Sequence, residues 1–181
     1  MLVFDETLYL IDGIKVDFPY PERLKKNPCA PIMLFEPLPP TNSIMFRRAV
    51  LQEIGEPFDP SLRFAEDIDF RLRVAEKYPV RFVPGYGSVI REHSGRSIRT
   101  EQAEVLYEND MRMIGLATVR SRYPSWVVRF KKAKIIHALA MRRWRQGRKL
   151  LAFLGLLRAS VTAPELALLT LGRWLQRKLF F

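Results

Sequence analysis

An α/β domain followed by a basic helical extension is the fold this sequence predicts. Three observations carry the prediction. Short apolar runs suited to strands alternate with helical periodicity over the first 121 residues. The 181-residue length and 48% hydrophobic content suffice for one packed domain plus an appendage. Charge is split along the chain. Residues 1–111 hold 14 Lys and Arg against 18 Asp and Glu, a net of −4, whereas residues 112–181 hold 16 against the single Glu165, a net of +15.

Residues 2–11, LVFDETLYLI, read as a strand, and "IDG" at 11–13 as a turn into a second extended piece. Seven prolines between 19 and 40 make that stretch irregular, with one helical turn expected around 30–36. "TNSIMFRRAVLQEIG", 41–55, begins extended and becomes a short helix with Ala49, Val50 and Ile54 on its apolar side and Gly55 at its end. Residues 66–77 form a helix with Ile68, Leu72 and Ala75 on one face. Its first turn carries Glu66, Asp67 and Asp69, where acids complement the positive end of the helix dipole. "VRFVP" at 80–84 is a strand, "GYG" a turn, and "SVIREHSG" a second strand running into a loop. A helix follows over 101–121.

The single Cys29 excludes a disulfide framework. The N-terminus carries acids where a secretory signal needs a basic region, so a cytoplasmic location is expected. The basic half points to an anionic partner. Its arginines alternate with Leu, Ile, Phe and Trp and show no zinc-ligand spacing, which argues against nucleic acid. Arg158, Pro164 and Glu165 interrupt any window long enough to span a bilayer. Amphipathic helices lying at the inner face of a membrane, with Trp144 and Trp174 at the interface, are one expectation for 126–181. A helical hairpin packed on the domain is the other. His137 reads as a helix-surface residue.

Residues 42–97, "NSIMFRRAVLQEIGEPFDPSLRFAEDIDFRLRVAEKYPVRFVPGYGSVIREHSGRS", resemble the second half of a family-2 glycosyltransferase catalytic domain. The likeness lies in the order of elements: an apolar-Phe-Arg-Arg helix, Ile-Gly, Phe-Asp-x-x-Leu, an "ED" helix with Leu-Arg, a "VxFVP" strand and an Arg-x-His element. It extends over roughly residues 1–115, leaving 116–181 as the basic tail. The resemblance implies part of a GT-A-like nucleotide-binding α/β sandwich. It also implies inverting transfer of a sugar from a nucleotide-sugar to an acceptor hydroxyl, in cell-envelope polysaccharide or glycolipid synthesis.

Inversion needs a base on the acceptor side. By resemblance Asp67 is that base, with Glu66 beside it. A like charge nearby raises a carboxyl pKa and a helix N-terminus lowers it, so no net value is assigned. Without the flanking elements, the three acids would read as caps on a solvated helix. Thr41, Asn42 and Ser43 fall in the family's acceptor loop. His93 is a candidate ligand for Mg²⁺ or Mn²⁺, and Arg91, Arg96 and Arg99 are candidates to hold phosphate oxygens. Structural roles for this His and these arginines carry equal weight.

The sequence departs from the family in one respect. The donor-side Asp-x-Asp that binds the metal is not found before residue 41; the one such motif, Asp67-Ile68-Asp69, stands elsewhere. The chain is therefore expected to hold the acceptor-side half of a site and to need an N-terminal half or partner chain. The alternative is a non-catalytic binding or scaffold protein that reuses the half-domain.

Overall fold

The computed structural model describes residues 1–11, 14–17, 19–36, 39–91 and 102–165. It is a mixed α/β fold in which a four-stranded sheet is packed by helices. β1 (Leu2–Ile11) is central. Its second half pairs antiparallel with β2 (Ile14–Asp17), in register Leu8 to Asp17. Its first half pairs antiparallel with β3 (Ile44–Phe46), Leu2 opposite Phe46. β4 (Val80–Arg91) runs parallel to β1 along nearly its whole length.

The expected turn at "GYG" does not form. Between the pairs Phe4–Phe82 and Glu6–Tyr86, β1 advances two residues and β4 four; between Glu6–Tyr86 and Thr7–Ser88, β1 advances one and β4 two. The extra residues are accommodated as bulges on one continuous strand. Gly85, at φ 119°, takes a conformation closed to other residues. Pro84, which has no N–H for a ladder, lies in the irregular part. Tyr86 uses this geometry to reach across β1, where its hydroxyl donates to Asp17 Oδ2 at 2.7 Å.

That bond pushes the Tyr86 phenol up to about 12. A phenol held neutral by the fold adds stability below its free value of about 10. The contribution is lost as pH rises from there to about 12. Tyr86→Phe is expected to lose this part of the alkaline slope of unfolding, read by circular dichroism melts across that range. The tyrosinate absorbance titration should lose one late-ionising step, leaving the still later ionisation of Tyr123, which burial and the Glu76 carboxylate raise further.

Four short elements join the sheet to the larger helices: α1 (Glu22–Lys26), α2 (Ala30–Phe35), a 3-10 turn at Thr41–Ser43 and α3 (Ala49–Ile54). α1 lies inside the proline-rich stretch, and its Leu24 is fully buried. Gly55 ends α3 at φ 78°, as its place after the last apolar residue predicts. α4 (Glu66–Lys77) has the predicted bounds. α5 (Ala103–Arg120), α6 (Ser125–Arg145) and α7 (Lys149–Thr162) complete the described chain.

One core gathers most of these elements. It contains Leu2 and Phe4 of β1, Met33 and Leu34 of α2, Phe70, Leu72 and Val74 of α4, and Met113, Ile114 and Ala117 of α5. Val127 and Ile135 of α6 belong to the same cluster. The expected division at 115–116 falls inside α5, and α6 is part of the core-forming structure. Aromatic contacts reinforce this core: within the sheet Phe4 lies 5.4 Å from Phe82, and between sheet and α4 Phe46 lies 5.2 Å from Phe70. α6 and α7 form a helical hairpin. Its turn is a Schellman motif, with Gly147 at φ 81°, the Gly147 amide on the Trp144 carbonyl, and the Arg148 amide on the Arg143 carbonyl.

Candidate functional site

The acids at the start of α4 sit on a strained backbone. Ala65, the residue before the helix, has φ 70° and ψ 9°, a left-handed conformation that costs a side chain about 1 to 3 kcal/mol. No side chain caps the helix there. The strain turns the chain abruptly from the Pro60–Phe64 loop into Glu66 and Asp67. Ala65→Gly is expected to raise stability by about 1 kcal/mol in chemical denaturation, because glycine adopts this conformation freely. An unchanged or lowered stability would show that the left-handed bend is not held.

Asp67 is fixed on one side. Its Oδ2 accepts from the Thr41 hydroxyl at 2.6 Å and from Arg71 Nη2 at 2.7 Å. Arg71, one turn along α4, is 3% exposed. Its Nε donates to the Asp67 carbonyl at 2.8 Å, and its Nη1 donates to the Pro39 carbonyl. One guanidinium therefore ties the helix start to the loop before Thr41. Burial lowers the Arg71 pKa, and the Asp67 charge opposes that shift.

The proline-rich segment thus delivers Thr41 to the "ED" pair. Asn42 is exposed, while Ser43 is buried with its hydroxyl on the Pro40 carbonyl at 2.9 Å. Beside them the Tyr20 phenol is raised by desolvation and lies within reach of Thr7 and Ser43. Thr7 and Ser88 share a hydroxyl–hydroxyl bond of 3.0 Å. Glu66 is half-buried and close enough to Arg71 to act on its charge.

Asp69 faces away from this arrangement. It is 1% exposed. Arg73 Nε donates to its Oδ2 at 2.9 Å, and Arg120 Nη1 makes an ion pair with its Oδ1 at 2.8 Å. Arg73 also donates to the carbonyls of Glu56 and Pro57, which braces the loop before α4. Arg120 continues to Glu76 at 3.3 Å, and Tyr123 donates to Glu76 at 2.6 Å. Asp69 therefore locks α4 to α5, so the Asp67-Ile68-Asp69 triplet does not present two acids to one ligand.

A second set of charges lies beneath α2 and α6. Lys134 Nζ donates to the Phe35 carbonyl at 3.0 Å, and Arg23 pairs with the buried Glu36. Desolvation lowers Lys131 and raises Asp110, while their opposite charges favour ionisation of both.

Among the predicted site residues, Thr41, Asp67 and Glu66 are brought together, with Asn42 and Ser43 in the same turn. Arg91 is exposed at the far end of β4, opposite Leu10. His93, Arg96 and Arg99 lie outside the described residues. Among the described residues, no three His, Cys, Asp or Glu side chains converge so as to hold a metal ion. These residues do not by themselves fit Mg²⁺ or Mn²⁺. The sequence reading missed two members of the site. Arg71 in a charged helix reads as solvated, and Ala65 carries no residue-level mark of its left-handed backbone. No family model, curated protein or solved structure matches this chain.

Proposed function

We propose that this chain is the acceptor-side part of an inverting glycosyltransferase of the GT-A-like class, with Asp67 as its general base. The observation that carries the reading is the 2.6 Å bond from Thr41 to Asp67 Oδ2. It joins the "TNS" turn, the resemblance's acceptor loop, to the "ED" acid across 26 residues of sequence. Arg71 and Thr41 both hold Oδ2, so Oδ1 is the oxygen offered to an incoming hydroxyl. About a third of the Asp67 side chain is exposed, enough for a ligand to reach it.

The reaction is the one the resemblance implies. An acceptor hydroxyl attacks the anomeric carbon of a nucleotide-sugar and forms the new C–O bond. The bond from that carbon to the diphosphate oxygen breaks on the opposite face, and its electron pair leaves with the nucleoside diphosphate. The hydroxyl proton passes to Asp67 Oδ1. Thr41 and Arg71 hold the carboxylate still, which shortens the search for a reactive geometry. In this reading Mg²⁺ or Mn²⁺ would neutralise the diphosphate in the donor-binding part, and the resemblance makes His93 a candidate ligand for it.

Calorimetry of the purified chain with UDP and UDP-sugars tests the reading, with Mn²⁺ present and absent. Metal-dependent binding that His93→Ala abolishes is the expected result once the donor-binding part is supplied. Failure to bind with that part supplied counts against it.

A second reading, a non-catalytic scaffold, is favoured by the same Arg71–Asp67 pair if that pair serves only to clamp the loop. The two readings separate on Asp67→Asn. A scaffold keeps its partner binding, whereas the enzyme keeps its fold and loses transfer.

A further inference from the structure

α7 is packed inside out. Its buried side consists of Ala152 and Ala159, continued by Ala163 just beyond the helix. Gly155 lies so close to α6 that a Cβ there would stand 2.9 Å from the Ala140 Cβ. The large apolar residues point the other way. Leu150, Phe153, Leu154, Leu157 and Val161 are 48 to 82% exposed. Their spacing of three, four, seven and eleven residues from Leu150 puts them on one helix face.

A helix on a water-facing surface buries such a stripe and shows its small and polar residues. The arrangement here matches helix pairs in lipid, where small residues let the backbones approach and large apolar ones face outward.

The dimensions and charges narrow what covers this face. α7 has 14 residues. At about 1.5 Å per residue it is roughly 21 Å long, shorter than the ~30 Å hydrocarbon core. Among the described residues, no helix is long and apolar enough to cross a membrane. The hairpin turn beside the stripe carries Arg142, Arg143, Arg145, Arg148 and Lys149, and between Asp110 and Glu165 the sequence has no acid. Trp144 is 45% exposed, with the Lys149 ammonium 4.0 Å from its ring centroid. Leu and Phe on one side, with cations and a Trp at one end, suit a helix lying in the headgroup boundary.

We propose that the outer face of α7 docks on an anionic bilayer surface, lying in its plane, with the 142–149 turn on the headgroups. The occupant is lipid, because the one-sign charge and the Trp at the end of the stripe complement anionic headgroups. This inference stands apart from the role of Asp67, and its failure would leave that reading untouched.

Flotation of the full chain with phosphatidylcholine vesicles, with and without phosphatidylglycerol, tests the proposal. The chain is expected to float with the phosphatidylglycerol vesicles and to stay in solution with phosphatidylcholine alone. Leu150→Glu/Leu157→Glu changes only exposed positions. It should weaken binding at least about tenfold while leaving the thermal melt unchanged. Arg145→Gln and Lys149→Gln should each cost about fivefold and reduce the salt dependence. Binding unchanged in the double Glu variant, or no binding by the folded wild-type chain, overturns the proposal. So does self-association that the double Glu variant abolishes without any vesicle binding, which would assign the face to a second copy.

Discussion

Arg71→Met is expected to unfold the site before it does anything else. The guanidinium it removes serves the Pro39 carbonyl, the Asp67 carbonyl and Asp67 Oδ2 from a position only 3% exposed. Methionine fills much of the volume and supplies none of those donors. Breaking a buried ion pair by deleting one partner typically costs about 3 to 5 kcal/mol, because the partner groups lose their compensation. Urea denaturation reads this directly. Arg71→Lys is expected to recover only part of the loss, because its three donors radiate from one nitrogen, whereas the guanidinium fork donates from three separated nitrogens. A loss under about 1 kcal/mol for Arg71→Met would mean that the loop is held elsewhere.

Asp67→Asn is expected to behave in the opposite manner. Asn keeps an oxygen for Thr41 and Arg71 and keeps the size of the side chain, so the fold should persist, with a loss of about 1 to 3 kcal/mol because the buried guanidinium keeps its hydrogen bonds and loses its opposite charge. On the proposed reading, what disappears is the proton acceptor. General-base catalysis typically contributes about 10² to 10⁴ in rate, and a loss of that size in kcat is expected in the intact enzyme. Glu66→Gln should cost less, because Glu66 has no part in the Thr41–Arg71 clamp and is proposed only as a helper to Asp67. Turnover measured as nucleoside diphosphate release, together with melts of the same samples, separates chemistry from stability. Equal damage to both would assign Asp67 to the scaffold.

The parts of this fold that were readable in the sequence are those set by local periodicity. Ile68, Leu72 and Ala75 recur at helical spacing, and α4 has the bounds they predict. Gly55 marks the end of α3 because a left-handed residue is needed there. The misread parts depend on partners far along the chain. "GYG" has the composition of a turn, yet pairing with β1 draws it into a bulged strand. α1, five residues among prolines, depends on the burial of Leu24 rather than on its own propensity.

The candidate site divides in the same way. Glu66 and Asp67 stand out in the sequence as an acidic pair opening a helix, and the role proposed for them rests on the resemblance. Their link to Thr41 is a contact over 26 residues that no local rule reports. Nothing local marks Arg71 or Asp69 as buried, and burial makes both of them structural links. In α7 the periodicity was visible, but only the packing shows that its small residues face α6 and its large ones face outward.

The measurement that tests the central claim most directly is sugar transfer by the folded chain with a donor-binding half supplied in trans. UDP-, GDP- and dTDP-linked sugars would be screened with Mn²⁺ and an envelope glycolipid acceptor, and the anomeric configuration of the product read by NMR. The account predicts nucleoside diphosphate release, a product inverted at the anomeric carbon, and loss of both in Asp67→Asn. Transfer that Asp67→Asn leaves intact, or a product with retained configuration, would contradict it.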